Sequence, residues 1–258
     1  MIDAKDIAEE LAAAERDRRA INPFTDAHPD LDLETAYRAQ DAFVASKLAA
    51  GERLVGAKLG LTSKVKQREM GVDQPLYGMV TSGMLAPYGG PLDTTAFIHP
   101  RVEPEIAFLL GRDVPAPATV TSVLAATEAV FAAIDVLDSR YADFRFRLPD
   151  VVADNASAGA FLLGPQSRSP AELVDLRLLG CVLRVGGQVV ATAAGAATMG
   201  HPAAAVAWLA NRLAEREEML RAGWLVFSGG LTAPVPVTPG VVVTAEFDGL
   251  GSVEVYGR

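Results

Sequence analysis

A single cysteine, Cys181, leaves no possibility of a disulfide within the chain. Set in Gly180-Cys181-Val182-Leu183, it reads as a buried strand residue more readily than as a nucleophile. Positive charge is scarce as well: 23 Lys and Arg stand against 32 Asp and Glu, and the net charge of -9 repels phosphate backbones and anionic lipid surfaces. No nucleic acid and no membrane partner is therefore expected. Uninterrupted apolar runs are too short to cross a bilayer. The acidic opening Ile2-Asp3-Ala4-Lys5-Asp6 lacks the basic start and apolar segment of a secretory leader, so a cytoplasmic protein is expected. Missing too are a GxGxxG after a first strand, a Walker loop, HExxH and GxSxG, which removes support for nucleotide-binding, zincin and serine-hydrolase readings.

What remains is a chain of 258 residues, half of them hydrophobic, long enough to bury a sizeable core. Ile7 and Leu11 fall at helical spacing among alanines, and Asp32 can cap a second helix whose stripe is Leu33, Tyr37, Phe43, Val44 and Leu48. Gly51 ends it. Residues 1–52 are thus expected to form a helical N-terminal section. From residue 53 to 258 the texture changes to short apolar runs punctuated by Gly and Pro, which predicts a mixed, mostly antiparallel β domain and an α+β fold. Thr121 is expected to cap a helix burying Val123, Leu124, Val130 and Phe131. Leu183 to Val190 predicts a hairpin turning at Gly186-Gly187, and His201-Pro202 a helix start with His201 as cap.

The stretch most charged with chemistry is Arg101-Val102-Glu103-Pro104-Glu105-Ile106-Ala107-Phe108-Leu109-Leu110. In an extended chain alternate side chains share a face, so Glu103 and Glu105 stand together while Ile106, Phe108 and Leu110 enter the core. Paired carboxylates repel unless a cation neutralises them, and a hard, oxygen-seeking ion such as Mg2+ is the usual partner. An exposed edge strand, with Pro104 where no donor is needed, is the competing reading. Asp135, inside the β-branched run Ile134-Asp135-Val136, is a third oxygen ligand or else a strand-end partner of Arg140. Lys58, in Gly56-Ala57-Lys58-Leu59-Gly60, either reaches to the surface or serves an anionic ligand. Met70 to Gly78, with Leu76 in it, reads as an ordered loop of the kind that carries binding groups. Asp154 to Ala160 offers small residues and the Ser157 hydroxyl.

Taken together, Lys58-Leu59-Gly60-Leu61-Thr62-Ser63, Gly71-Val72-Asp73-Gln74-Pro75, Pro100-Arg101-Val102-Glu103-Pro104-Glu105-Ile106, Asp138-Ser139-Arg140, Ala153-Asp154-Asn155-Ala156-Ser157 and Gly200-His201-Pro202 make the chain resemble the hydratase and decarboxylase family of the aromatic meta-cleavage pathways, within the fumarylacetoacetase-like superfamily. The resemblance covers nearly the whole chain. It implies a helical section packed on a barrel-like β domain, and a Mg2+ or Mn2+ ion held by Glu103, Glu105 and Asp135 with no organic cofactor. Catalytic roles fall to Lys58, Glu103 and Glu105; Lys58, Leu76 and Ser157 are expected to bind a small 2-oxo dicarboxylic acid. A homo-oligomer, complexed with the sister hydratase, is the implied assembly. Two activities share this scaffold: hydration of 2-hydroxypenta-2,4-dienoate and decarboxylation of 2-oxo-3-hexenedioate. Asp138-Ser139-Arg140-Tyr141 with Phe144-Arg145-Phe146, and Ser228-Gly229-Gly230-Leu231-Thr232-Ala233, resemble the decarboxylases more. One departure stands out, since the family usually has Glu where this chain has Asp135. The shorter side chain is expected to reach the ion through water or a shifted backbone, and a non-catalytic partner subunit is the alternative should it fail to bind.

Overall fold

The computed structural model describes residues 2–69, 71–173 and 175–258. Three helices come first. α1 (Ala4–Asp17) starts where the Asp3 carboxylate accepts from the Lys5 amide, and it buries Ile7, Leu11 and Ala14. After Pro23 a single turn, α2 (Phe24–Ala27), leads to α3 (Leu33–Ala49), capped by Asp32 through the Thr35 amide. Further helices are α4 (Lys64–Glu69), α5 (Val120–Ala126), α6 (Leu148–Ala153) and α7 (Pro202–Ala214). α3 packs against α1 on one side and α6 on the other, and α7 packs on α5. His201 caps α7 as expected, its Nδ1 accepting from the Ala203 amide. No described helix is long and apolar enough to cross a membrane.

The strands are β1 (Leu54–Gly60), β2 (Leu76–Thr81), β3 (Pro91–Leu92), β4 (Arg101–Leu110), β5 (Thr127–Leu137), β6 (Ala158–Arg168), β7 (Gly180–Val185), β8 (Gln188–Ala194), β9 (Leu225–Phe227), β10 (Val235–Pro236), β11 (Val242–Phe247) and β12 (Gly251–Gly257). One sheet runs β2-β1-β9-β4-β5-β6, with β10 also on β4, and the other runs β3-β12-β11-β7-β8. Mixed helices and sheets are as expected, and eight of the ten strand pairings among the described residues are antiparallel; the barrel-like detail needs correction. β1 pairs with β9 in parallel, as does β12 with β3. Neither path closes through a ladder among the described residues; an isolated bridge from Leu85 to Phe161 is what links the β2 and β6 ends of the larger sheet.

Two further expectations are corrected. α5 is capped by Thr119, not Thr121, and it stops at Ala126, so Val130 and Phe131 belong to β5. β4 is no edge strand, for β5 lies on one side and β9 and β10 on the other. Pro104, which has no N–H, falls opposite the gap between β9 and β10, where its carbonyl accepts from the Leu231 amide at 2.9 Å.

Register decides what each face of the large sheet carries. Lys58 pairs with Phe227, Phe227 with Ala107, Glu103 with Asp135, and Asp135 with Phe161. Cross-strand partners point the same way, so Lys58, Glu103, Glu105, Ala107, Asp135, Phe161 and Phe227 share one face. Val80, Ala107, Ala133, Ala158, Phe161 and Phe227 form a separate apolar cluster there, while Val102, Ile106, Phe108 and Leu110 join the main core behind. The Phe161 and Phe227 rings lie 4.4 Å apart at their centroids.

Candidate active site

Alternation along β4 brings Glu103 and Glu105 to one face, and the β4–β5 register sets Asp135 directly across from Glu103. Each of these three buried residues offers an oxygen, and all three atoms lie within 4.8 Å of one another. The missing methylene does not take Asp135 out of the cluster, because a directly opposed pair starts with its Cβ atoms only about 5 Å apart. Nor does Asp135 pair with Arg140: its ionic partner is Lys58, whose Nζ lies 2.5 Å from Asp135 Oδ2.

Lys58 does not reach the surface. It is 2% exposed, and its ammonium donates to the Ala156 carbonyl at 3.0 Å. That carbonyl is presented by a strained turn in which Asn155, Ala156 and Ser157 all have positive φ. Burial by itself lowers the pKa of Lys58, yet the charges of Asp135 and Glu105 outweigh it and leave the group above its ordinary value. Lys58 is therefore a charged donor.

Burial raises both Glu105 and Asp135, and their mutual repulsion adds to it at Glu105. Asp135 Oδ2 is answered by the Lys58 ammonium, whereas Asp135 Oδ1 and Glu105 Oε1 have no hydrogen-bond donor. Buried carboxylate oxygens left this way are costly. An all-oxygen, anionic donor set with spare lone pairs matches what a hard divalent cation needs, and Glu103, Glu105 and Asp135 fit such an ion.

Sequence reasoning missed the groups that hold these acids. Lys66, on α4, places its Nζ 2.6 Å from Glu103 Oε1. The Gly229 amide donates to Glu105 Oε2 at 2.8 Å. At Gly230 an added Cβ would lie 2.0 Å from Glu103 Oε2, so that glycine leaves room for the carboxylate. The Gly229-Gly230 pair was visible in the sequence, but nothing local said what would fill the space; for Lys66 no signal existed. The carboxyl end of Glu103 can move but its Cβ, 3.0 Å from the added atom, is fixed to β4, so Gly230→Ala should displace the carboxylate at some cost in stability. We expect divalent-ion affinity to fall about tenfold or more, read by calorimetry with Mg2+ or Mn2+. Unchanged affinity would argue against Glu103 as a ligand.

The other two expected site residues flank Lys58: Leu76 pairs with Gly60 on the Lys58 face, and Ser157 follows Ala156, whose carbonyl receives the Lys58 ammonium. The Ser157 hydroxyl donates to Asp154 Oδ2 at 3.0 Å. Of the loop expected over Met70 to Gly78, Met70 lies outside the described residues, while Leu76, Tyr77 and Gly78 belong to β2. Leu76 covers Gly60 and lines a small cavity with Tyr37, Leu148 and Val152, with none of the acids among its walls.

The Asp138-Ser139-Arg140 block turns out to be a frame. Asp138 accepts from the Ile98 and His99 amides at 2.9 Å and 2.8 Å, holding the approach to β4. Arg140, fully buried, pairs with Asp154 and donates to the Ala158 carbonyl at 2.9 Å. The turn that carries the Lys58 acceptor is thereby fixed on both sides.

The family model described as fumarylacetoacetate hydrolase, C-terminal, matches residues 54–256. A 4-oxalocrotonate decarboxylase of Pseudomonas sp. strain CF600 is 45% identical over 248 residues, 96% of this chain and 94% of that one. A 2-keto-4-pentenoate hydratase of Paraburkholderia xenovorans strain LB400 is 39% identical over 250 residues, 96% of this chain and 93% of its own. Among solved structures, 4-oxalocrotonate decarboxylase from Pseudomonas putida G7, complexed with magnesium and adipate, superposes with a TM-score of 0.95 at 40% identity, covering 99% of this chain and 97% of that one.

Proposed function

Since this chain belongs to the fumarylacetoacetate hydrolase family, we propose that it is a metal-dependent carboxy-lyase, converting 2-oxo-3-hexenedioate (4-oxalocrotonate) to 2-hydroxypenta-2,4-dienoate and carbon dioxide in meta-cleavage catabolism of aromatic compounds. The observation that carries the reading is a face where three buried carboxylates and a charged lysine adjoin an apolar surface, in a chain 45% identical to a 4-oxalocrotonate decarboxylase.

The substrate is a vinylogous β-keto acid. As the C5–C6 bond breaks, its electrons form the C4–C5 double bond, the C3–C4 pair moves to C2–C3, and the carbonyl pair settles on the C2 oxygen. The substrate's own carbonyl is the electron sink, so the reading calls for no organic cofactor. Glu103, Glu105 and Asp135 would hold Mg2+ or Mn2+, which when bound would supply Lewis-acid stabilisation of the developing enolate charge. Lys58 stands beside them as a second positive group, and its N–H groups can turn from Asp135 to an anionic oxygen. Phe161, Phe227, Ala107 and Ala133 keep water from the reacting carbons, which strengthens each charge interaction. Assembly with copies of itself and with the sister hydratase goes with the same reading, and sedimentation of the chain alone and mixed with a hydratase tests it.

Hydration of the dienol is the second reading, favoured by the 39% identity to a 2-keto-4-pentenoate hydratase. Purified protein incubated with 2-oxo-3-hexenedioate separates the two. Carbon dioxide release that stops on chelation and returns with Mg2+ is expected. Absence of carbon dioxide, with 4-hydroxy-2-oxopentanoate formed from the dienol, would assign the hydratase instead.

A further inference from the structure

We propose that Lys66 selects ligands with two carboxylates, because it and a divalent cation compete for the Glu103 carboxylate; the proposal rests on the metal-dependent reading above. Lys66 reaches in from α4, its side chain 23% exposed and its ammonium 2.6 Å from Glu103 Oε1. Glu103 is the outermost of the three acids, 8% exposed where Glu105 and Asp135 are 0%. The other cations of α4 are engaged within the helix: Lys64 Nζ donates to Gln67 Oε1 at 3.0 Å and Arg68 Nε to the Lys64 carbonyl at 3.1 Å.

Charge accounting supplies the reason. Three carboxylates set against Lys58 leave two negative charges, which one divalent cation neutralises in full. Lys66 is then surplus, and positive charges crowded on one carboxylate repel. Once off Glu103, a half-buried ammonium needs another anion. A 2-oxo diacid brings one. Its C1 carboxylate and 2-oxo group belong with the acids and Lys58, and its second carboxylate cannot go deeper, because Ala107, Ala133, Phe161 and Phe227 close that side with apolar side chains. The second carboxylate therefore lies toward α4 and Lys66. A monoacid offers Lys66 nothing. Because this carboxylate is the one that leaves as carbon dioxide, the pairing weakens toward the transition state, so it lowers KM at some cost in kcat.

Calorimetry on metal-stripped protein tests this with Lys66→Met and, as a control that keeps the charge, Lys66→Arg. The probes are Mg2+ alone and then, at saturating Mg2+, 2-oxohexanedioate against 2-oxohexanoate, which differ only in the second carboxylate. For Lys66→Met we expect Mg2+ to bind about tenfold tighter, an ordinary coupling between linked sites. The diacid preference of the wild type should shrink about tenfold, and Lys66→Arg should match the wild type in both measurements. Mg2+ binding no tighter in Lys66→Met, or a diacid preference that survives the substitution, overturns the proposal while leaving the metal site standing. If no variant binds Mg2+ or Mn2+ at millimolar concentration, the metal-dependent reading itself fails and the role of Lys66 falls with it.

Discussion

Replacing Glu105 by glutamine is expected to cut kcat/KM for decarboxylation by about a thousandfold while leaving the fold as stable as before. Glu105 is the innermost acid on β4, fully buried, and one of its oxygens accepts the Gly229 amide while the other has no donor. A glutamine of nearly the same shape can keep the Gly229 bond through its carbonyl oxygen. It cannot supply the charge that holds a hard cation, and groups that stabilise a developing oxyanion are each worth on the order of 10²–10³ in rate. Stability should not suffer, since burial and the Asp135 charge already raise the pKa of Glu105 and the substitution removes that repulsion. Two measurements check it together. Saturating Mg2+ should raise the melting temperature of the wild type, by linkage worth about 2.7 kcal/mol at a hundred times Kd, and should leave Glu105→Gln unmoved. A variant that still gains stability from Mg2+ and still turns over would remove Glu105 from the site.

Arg140→Leu should act in the opposite sense, costing about 3–5 kcal/mol of stability, the usual result of leaving one partner of a buried ion pair uncompensated. Arg140 is fully buried, bound to the Asp154 carboxylate and to the Ala158 carbonyl, and its own carbonyl accepts the Ile21 amide at 2.9 Å. The loss reaches the site because Asp154 also orders Ser157, next to the Ala156 carbonyl that receives Lys58. The double variant Arg140→Leu with Asp154→Leu should be less destabilised than the single one, since no buried charge is stranded. Denaturant unfolding of the three proteins decides; a single variant within about 1 kcal/mol of the wild type would refute the structural role.

The pH profile gives a second readout. Burial, only partly offset by Arg140, pushes Asp154 up to about 6 from 3.8. Between those values the folded protein takes up a proton that the unfolded chain does not. The Asp154 contribution to stability is therefore greatest below about 3.8 and is lost as pH rises through about 6. Removing Arg140 takes away the charge that lowers this group, so in Arg140→Leu the loss should shift to higher pH.

Much of the fold was legible because its signals are local. Asp32 caps α3, His201 caps α7, and Gly186-Gly187 turns the β7–β8 hairpin, each depending only on residues a few positions away. The helix expected from Thr121 through Phe131 failed at its boundary: apolar residues there serve α5 and then β5, and periodicity cannot divide a continuous apolar run. Glu103 and Glu105 were legible as neighbours because two residues along a strand always share a face.

What the sequence determined on its own, then, was a strand with two adjacent acids, helices before it, no disulfide, and candidates at Asp135 and Lys58. Only the tertiary structure decided that Asp135 faces Glu103, that Lys58 answers it from β1, that Ser157 serves Asp154, and that Lys66 holds the outer acid. The reason is physical. Alternation along a strand is a property of the backbone, whereas the meeting of β4, β5, β1 and α4 depends on cross-strand register and helix placement, which are set by packing across the whole sheet.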